Sequence, residues 1–170
     1  MQSQRQTHRW LNLVLGISRY LEGCCACGDL QFELLSSPLF VHACHCLDCQ
    51  RKTGSAFGIT CIVLEDDISI TGGELIKQNI SVRSTAHMCQ NCSSTIHISS
   101  KAYPATTLLQ TGMLKDLRLL HIEAHIWVKR KHPWVKLPAQ APQFDESYIR
   151  DQTWPETSLS RLQMQISGTT

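Results

Sequence analysis

From Asp29 onward the chain is written in short stretches where apolar and polar residues alternate. That period of two marks half-buried β-strands. Leu30-Gln31-Phe32-Glu33-Leu34 shows it plainly, and Ile68-Ser69-Ile70 repeats it before a turn at Thr71-Gly72-Gly73. Phe57 to Leu64 is a longer β-rich run, and Leu75 to Arg83, Thr95 to Ser99 and Leu108 to Gly112 continue in the same style. His121 to Val128 sets His, Glu, His against Ile, Ala, Ile and is expected to form a further strand. Helix is expected only as a turn at Leu47 to Thr53 and a short piece near Thr157 to Gln165. The pattern predicts a mainly β chain without repeats. It comprises an extension over 1–20, a single domain over 21–138, and a tail over 139–170. After Pro138 the composition shifts to Pro, Gln, Asp and Ser, so the tail is expected to wrap the surface or fray.

A length of 170 residues suits one domain with a real core. A hydrophobic fraction of 42% with 18% charged residues describes an ordinary soluble protein. A formal net charge of +2 is too mild to point to nucleic acid or an acidic membrane. No stretch approaches the roughly 20 apolar residues of a membrane span. Arg5, Arg9 and the apolar run Trp10 to Ile17 resemble a signal peptide. That run is short and broken by Asn12, and Arg19 and Glu22 stand where small neutral residues belong. Residues 1–20 are therefore read as an extension, with a misassigned translation start as the equal alternative, and the expected location is the cytoplasm.

The cysteines change the picture. Nine in 170 residues is about 5%, below the roughly 8–10% of a small disulfide scaffold. They are clustered as Cys24-Cys25-x-Cys27, Cys44-x-Cys46-x-x-Cys49, Cys61 and Cys89-x-x-Cys92. Neighbouring thiolates can converge on one ion, whereas a disulfide framework spreads its cysteines to bridge distant segments. Metal is the first reading; redox or disulfide pairs are the second.

Cys25 and Cys27, two apart on a strand, would face the same way, with Gly28 freeing the backbone to turn. Cys89 and Cys92 have the spacing of a zinc knuckle. Together they supply four thiolates, the composition of a closed structural zinc site. Cys44, Cys46 and Cys49 supply three, with Cys44 and Cys46 expected on one strand face. An open fourth position is the mark of a catalytic zinc. The alternative is that His42, His45, Asp48 or Cys61 completes the shell. His45 should point away from Cys44 and Cys46, and His42 needs a bend to reach them. Three thiolates on Zn²⁺ leave a net −1, which suits holding a soft thiolate better than making hydroxide. Arg51 and Lys52 follow directly and are expected to offset that charge or meet substrate carboxylates, with a solvated basic pair as the plain alternative.

On these residues the chain resembles the glutathione-dependent formaldehyde-activating enzyme and centromere protein V family. The resemblance runs from about Glu22 to Trp154. It rests on Gly23-x-Cys25-x-Cys27-Gly28, on Cys44-His45-Cys46-x-x-Cys49-x-Arg51-Lys52-x-x-Gly54-Ser55, and on Cys89-x-x-Cys92. Gly112-x-Leu114-x-Asp116, His125-Ile126 and Lys131-x-x-Trp134 add support. It implies a β-tent fold of twisted antiparallel sheets stabilised by two zinc ions. Cys25, Cys27, Cys89 and Cys92 would hold the structural one, and Cys44, Cys46 and Cys49 the catalytic one. The implied activity is that of a carbon–sulfur lyase joining formaldehyde to the thiol of glutathione, with rate coming mainly from proximity. Ser93 stands where the family usually has Gly, Lys115 where a small or acidic residue is common, and the extension before Leu21 has no counterpart.

The functional expectation is thus a zinc-dependent carbon–sulfur lyase acting on a small thiol adduct such as one of glutathione, with no nucleic-acid or membrane partner. Arg51, Lys52 and Trp134 are expected beside the open zinc. The alternatives are a zinc-stabilised binding or scaffold module and a redox-sensitive zinc-release sensor. His121, Glu123 and His125 are read as a polar strand face rather than a third metal site. The basic run Lys129 to His132, between Trp127 and Trp134, is read as a solvated loop. Cys61 is expected in the core, and Cys24 is expected to point away from its zinc-binding neighbour.

Overall fold

The computed structural model describes residues 21–168, so the extension over 1–20 lies outside the described residues. Among the described residues ten strands build two sheets. β1 (Leu21–Cys24), β2 (Gln31–Leu34) and β5 (Ile68–Gly72) form an antiparallel three-stranded sheet in the order β1-β2-β5. The larger sheet uses β3 (Phe40–Cys44), β4 (Gly58–Leu64), β6 (Leu75–Asn79), β7 (Ser84–Cys89), β8 (Thr95–Ser100), β9 (Thr106–Gln110) and β10 (Ala124–Ile126). Its order is β10-β3-β4-β9-β8-β7-β6, antiparallel throughout except that β10 runs parallel to β3. The mainly β expectation holds.

Two apolar clusters explain the burial pattern. Leu30, Phe32 and Leu34 enter the first cluster with Val41, Cys61, Val63 and Leu109, joining the small sheet to one face of the large one. β4 shows no alternation in its burial because it is covered on both faces. Cys61 and Val63 belong to the first cluster, while Ile62 and Leu64 belong to a second with Leu39, Phe40 and Ala124. The tail covers that second cluster. α2 (Arg150–Thr153) and α3 (Glu156–Gly168) bring in Trp154 and Leu162, each contributing roughly 2 kcal/mol by removing apolar area from water. Trp154 stacks on Phe40 with ring centroids 5.7 Å apart, and Arg161 bonds Ser36 and pairs with Asp67 at 3.2 Å. α1 (Leu47–Thr53) sits between β3 and β4.

Three local expectations are corrected. His121 to Val128 is not one strand: only Ala124–Ile126 pairs. The Glu123 carboxylate takes the Val41 N–H at 2.7 Å, occupying a donor the ladder would use, and Trp127 ends the strand in the left-handed region at φ 58°. The run from Leu75 ends as a strand at Asn79, where a turn closed by Ser81 and Ser84 reverses the chain into β7. Cys25 and Cys27 lie in the turn after β1 rather than on a strand. Among the described residues no helix is long and apolar enough to cross a membrane.

Candidate metal centres and the cleft beside them

The first centre joins two turns far apart in sequence. Cys25 and Cys27 follow β1, Cys89 ends β7 and Cys92 lies in the turn beyond it. Their sulfur atoms all lie within 4.8 Å of one another. Cys25 Sγ is 3.4 Å from Cys27 Sγ, and Cys27 Sγ is 4.0 Å from Cys89 Sγ. The Leu30 N–H donates to Cys25 Sγ at 3.2 Å and the Asn91 amide to Cys27 Sγ at 3.5 Å. Such N–H donors favour thiolate over thiol. Burial opposes the Cys25 thiolate, yet the bonds from Leu30 and the neighbouring thiols prevail and lower its pKa. The Ser94 hydroxyl and backbone hold Cys92 down at about 5. The Asp29 N–H favours the Cys27 thiolate, but the competing thiols of Cys25 and Cys92 push it up to about 12. Four convergent sulfurs with backbone donors and no carboxylate among them fit a soft tetrahedral cation such as zinc. Gly28 at φ 80° and Ser93 at φ 58° turn the backbone around the site.

The second centre is built at the β3–α1 corner. Cys44 closes β3, but Cys46 is the N-cap of α1, not a strand residue as expected. Its sulfur accepts the Cys49 N–H at 3.4 Å. Asp48 in the first turn and Arg51 and Lys52 in the last complement the helix dipole, and Gly54 ends the helix at φ 60°. The three sulfurs lie within 4.8 Å of one another. They share protons unevenly. The hydrogen bond with Cys49, then burial, raises the Cys44 thiol; the reciprocal bond, opposed by burial and helped by Cys46 and Lys52, holds Cys49 down at about 6.

Among the described residues no further His, Cys, Asp or Glu joins this trio within that spacing. The four candidates point elsewhere. His42 Nδ1 meets the Tyr148 hydroxyl at 3.1 Å, and Asp48 pairs with Arg51 at 3.2 Å. Cys61 is buried in the first core cluster. His45 turns inward, with Nε2 3.1 Å from His125 Nδ1 and its ring against Phe57. Burial, then His125 and Lys131, lowers the His45 pKa to about 4, so its ring is neutral near pH 7. His125 therefore serves the corner rather than an exposed polar face.

The basic and aromatic candidates separate. Lys52 and Thr53 line a cleft of about 770 Å³ with Phe57, Ile59, Met88 and Ile98. Arg51 and Trp134 line a second depression with Leu47, Gln50 and His132 on the other flank of α1. There Trp134, 70% exposed, stacks on His132 at 5.2 Å. Gln50 pins the helix by donating to the carbonyls of His45 at 2.8 Å and Arg130 at 3.0 Å. Sequence reasoning did not reach the cleft walls Met88 and Ile98 or the His45–His125 contact, because each joins segments distant in sequence.

Among solved structures, a Rhodobacter sphaeroides protein is similar, with 20% identity and a TM-score of 0.46 over 60% of this chain and 97% of that one. No curated protein sequence matches the chain. Residues 20–130 match the sequence profile of the glutathione-dependent formaldehyde-activating enzymes. That span covers well over half of the 170 residues and contains every cysteine of both centres. The chain belongs to the glutathione-dependent formaldehyde-activating enzyme family.

Proposed function

We propose that this protein is a cytoplasmic zinc-dependent carbon–sulfur lyase that forms and cleaves the adduct of a small thiol with an aldehyde such as formaldehyde. The observation carrying this reading is the trio Cys44, Cys46 and Cys49, which gathers three sulfurs and no fourth protein ligand among the described residues. Cys25, Cys27, Cys89 and Cys92 would hold a second, closed zinc with a folding role. When bound at the trio, zinc supplies an exchangeable coordination position and a positive charge that favours a thiolate over a thiol.

The chain's own contribution is placement. Cys49 Sγ lies 3.7 Å from the point a Cβ on Gly58 would occupy, and Thr53, which lines the cleft, lies 3.4 Å from the same point. Cys49 therefore approaches the cleft wall at Gly58 through its neighbour Thr53, although none of the three cysteines itself lines the cleft. Lys52 on that flank receives an anionic group of the substrate, while Arg51 and Trp134 serve the outer rim. In the forward direction the substrate thiol gives up its proton, its sulfur pair bonds to the carbonyl carbon, the C=O π pair moves to oxygen, and oxygen takes up one proton in place of the one the thiol released. The reverse step returns that proton and breaks the C–S bond, so no electrons are gained or lost overall. The family's thiol is glutathione by its name, and an aldehyde held against a bound thiol gains from proximity alone.

The test is exchange spectroscopy by NMR on formaldehyde mixed with glutathione or an N-acylcysteine at equilibrium. Zinc-containing protein is expected to accelerate exchange between free thiol and S-hydroxymethyl adduct, and Cys46→Ser to abolish the acceleration. No acceleration with any thiol would reject the enzyme reading in favour of a zinc-stabilised binding module.

A further inference from the structure

The cleft beside the trio is apolar on most of its walls. Ile59, Met88 and Ile98 contribute from the sheet, and Phe57 from a loop and Met113 and Leu117 from short 3-10 turns close it. Its polar groups are the hydroxyls of Thr53, Ser55, Thr95 and Thr111 and the amides of Gln78 and Gln110. Lys52 supplies a cation, and among the described residues no Asp, Glu or Arg lines it. Glutathione carries two carboxylates and an ammonium, and each would lose water on entering. Burying charge without a partner is costly. The cleft offers one charged partner for a carboxylate and, for an ammonium, only neutral acceptors such as the Gln78 and Gln110 amides. Arg51, the nearest other cation in sequence, lies in the depression on the opposite flank of α1.

Placement sharpens the requirement. Lys52 follows Cys49 by three residues, so the two share a flank of α1. Thr53, one residue further, meets Cys49 at Gly58 where the cleft begins. An anion at Lys52 is thus held near the thiol end of any ligand, and the rest of that ligand must run along Ile59, Met88 and Ile98. With about 770 Å³ available, the cleft holds a body of many carbon atoms.

We propose that the thiol partner of this protein is an amphiphilic mercapto acid: a thiol and one carboxylate close together, with an apolar body filling the cleft. The assignment rests on the thiol-exchanging reading of the trio. It departs from glutathione in the body of the ligand, not in the reacting group.

Calorimetric titration of the zinc-containing protein tests it with N-acetyl-, N-butanoyl- and N-hexanoylcysteine, their cysteinamides, glutathione, and the matching N-acylalanines. Each pair of added methylenes is expected to tighten binding about tenfold, with N-hexanoylcysteine binding more tightly than glutathione. Met88→Glu, on a half-exposed wall residue, should flatten that chain-length dependence. Lys52→Met should weaken the acids about tenfold and leave the N-acylcysteinamides unchanged. Affinity independent of chain length, or tightest for glutathione, would overturn the assignment while leaving the trio's role standing. Cysteine and alanine series of equal affinity would overturn the thiol reading itself, and this assignment with it. A change of oligomeric state by sedimentation on adding the long probes, or in Met88→Glu, would instead make the cleft a face between copies of the chain, and would also overturn it.

Discussion

His45 Nε2 lies 3.1 Å from His125 Nδ1, and the two buried rings fasten the β3–α1 corner to β10. The backbone repeats the link, since the His45 N–H donates to the Ile126 carbonyl at 2.9 Å. Besides a weak contact with the Ala56 backbone, the His45 ring has its main hydrogen bond to His125. The contact holds the residue between Cys44 and Cys46 in a fixed orientation, which is how outer groups would steady a metal at the proposed site.

Removing that partner leaves the buried His45 ring without its hydrogen bond at Nε2. His125→Ala is expected to lose about 2–3 kcal/mol, from the orphaned polar group and the vacated volume. Urea unfolding of zinc-containing protein measures it. A loss below about 0.5 kcal/mol would show that the contact does not steady the corner.

Gly23 is fixed by its surroundings rather than by its backbone angles. A Cβ there would lie 2.1 Å from Phe32 Cζ and 2.6 Å from the Met113 carbonyl oxygen. Phe32 is fully buried and cannot swing aside without disturbing the first core cluster. Gly23→Ala should cost about 3 kcal/mol, seen as a drop in Tm of several degrees with zinc content unchanged. An unchanged Tm would mean that the β1–β2 pair and the Met113 turn have slack at this contact.

Ser93 gives the opposite case. It sits at φ 58°, where a Cβ is strained, and its N–H still donates to Cys89 O at 2.9 Å to close the knuckle. Ser93→Gly relieves the strain and loses part of the gain to backbone entropy, so a net stabilisation of about 0.5–1 kcal/mol is expected. Thermal unfolding at fixed zinc reports it, and destabilisation would locate the strain elsewhere in the turn.

His97 sets a pH dependence. Its ring lies 4.0 Å from that of His87, and Nδ1 is 2.8 Å from Thr107 Oγ1. Burial, then His87 and Lys77, lowers its pKa from 6.5 to about 3. Between those values the unfolded chain carries the proton and the folded chain does not. Stability therefore falls as pH drops below 6.5, by up to about 1.4 kcal/mol per pH unit for this group. His97→Gln should be less stable than the parent at pH 7, with a gap that narrows by pH 5. Urea midpoints at the two pH values decide, and parallel losses would remove His97 as the source.

The sequence disclosed most where the relevant neighbours are local. Each half of the four-sulfur centre is a pair of cysteines two or three residues apart, so spacing alone marked it. The trio's residues lie within six positions, and Cys61 read as core because it sits inside the β-rich run Phe57 to Leu64. Long-range partners decided the rest. β7 is hard to read because Ser84, Thr85 and His87 carry little hydrophobic signal, and its place comes from pairing with β6 and β8. Trp127 looked like part of a strand, yet its backbone enters the left-handed region at φ 58° and ends the strand at Ile126. The helical tail was visible near Thr157, but that Trp154 would stack on Phe40 was not. The cleft walls come from separate strands and loops, so no local motif announces them.

Zinc content per chain, measured on the parent and on Cys46→Ser alongside thiol titration, tests the central claim most directly. The account predicts two zinc ions in the parent and about one in the variant. The variant should keep its fold through Cys25, Cys27, Cys89 and Cys92 but lose thiol binding. A variant that unfolds, or a two-zinc parent that binds no thiol, would contradict it by making the trio a structural site.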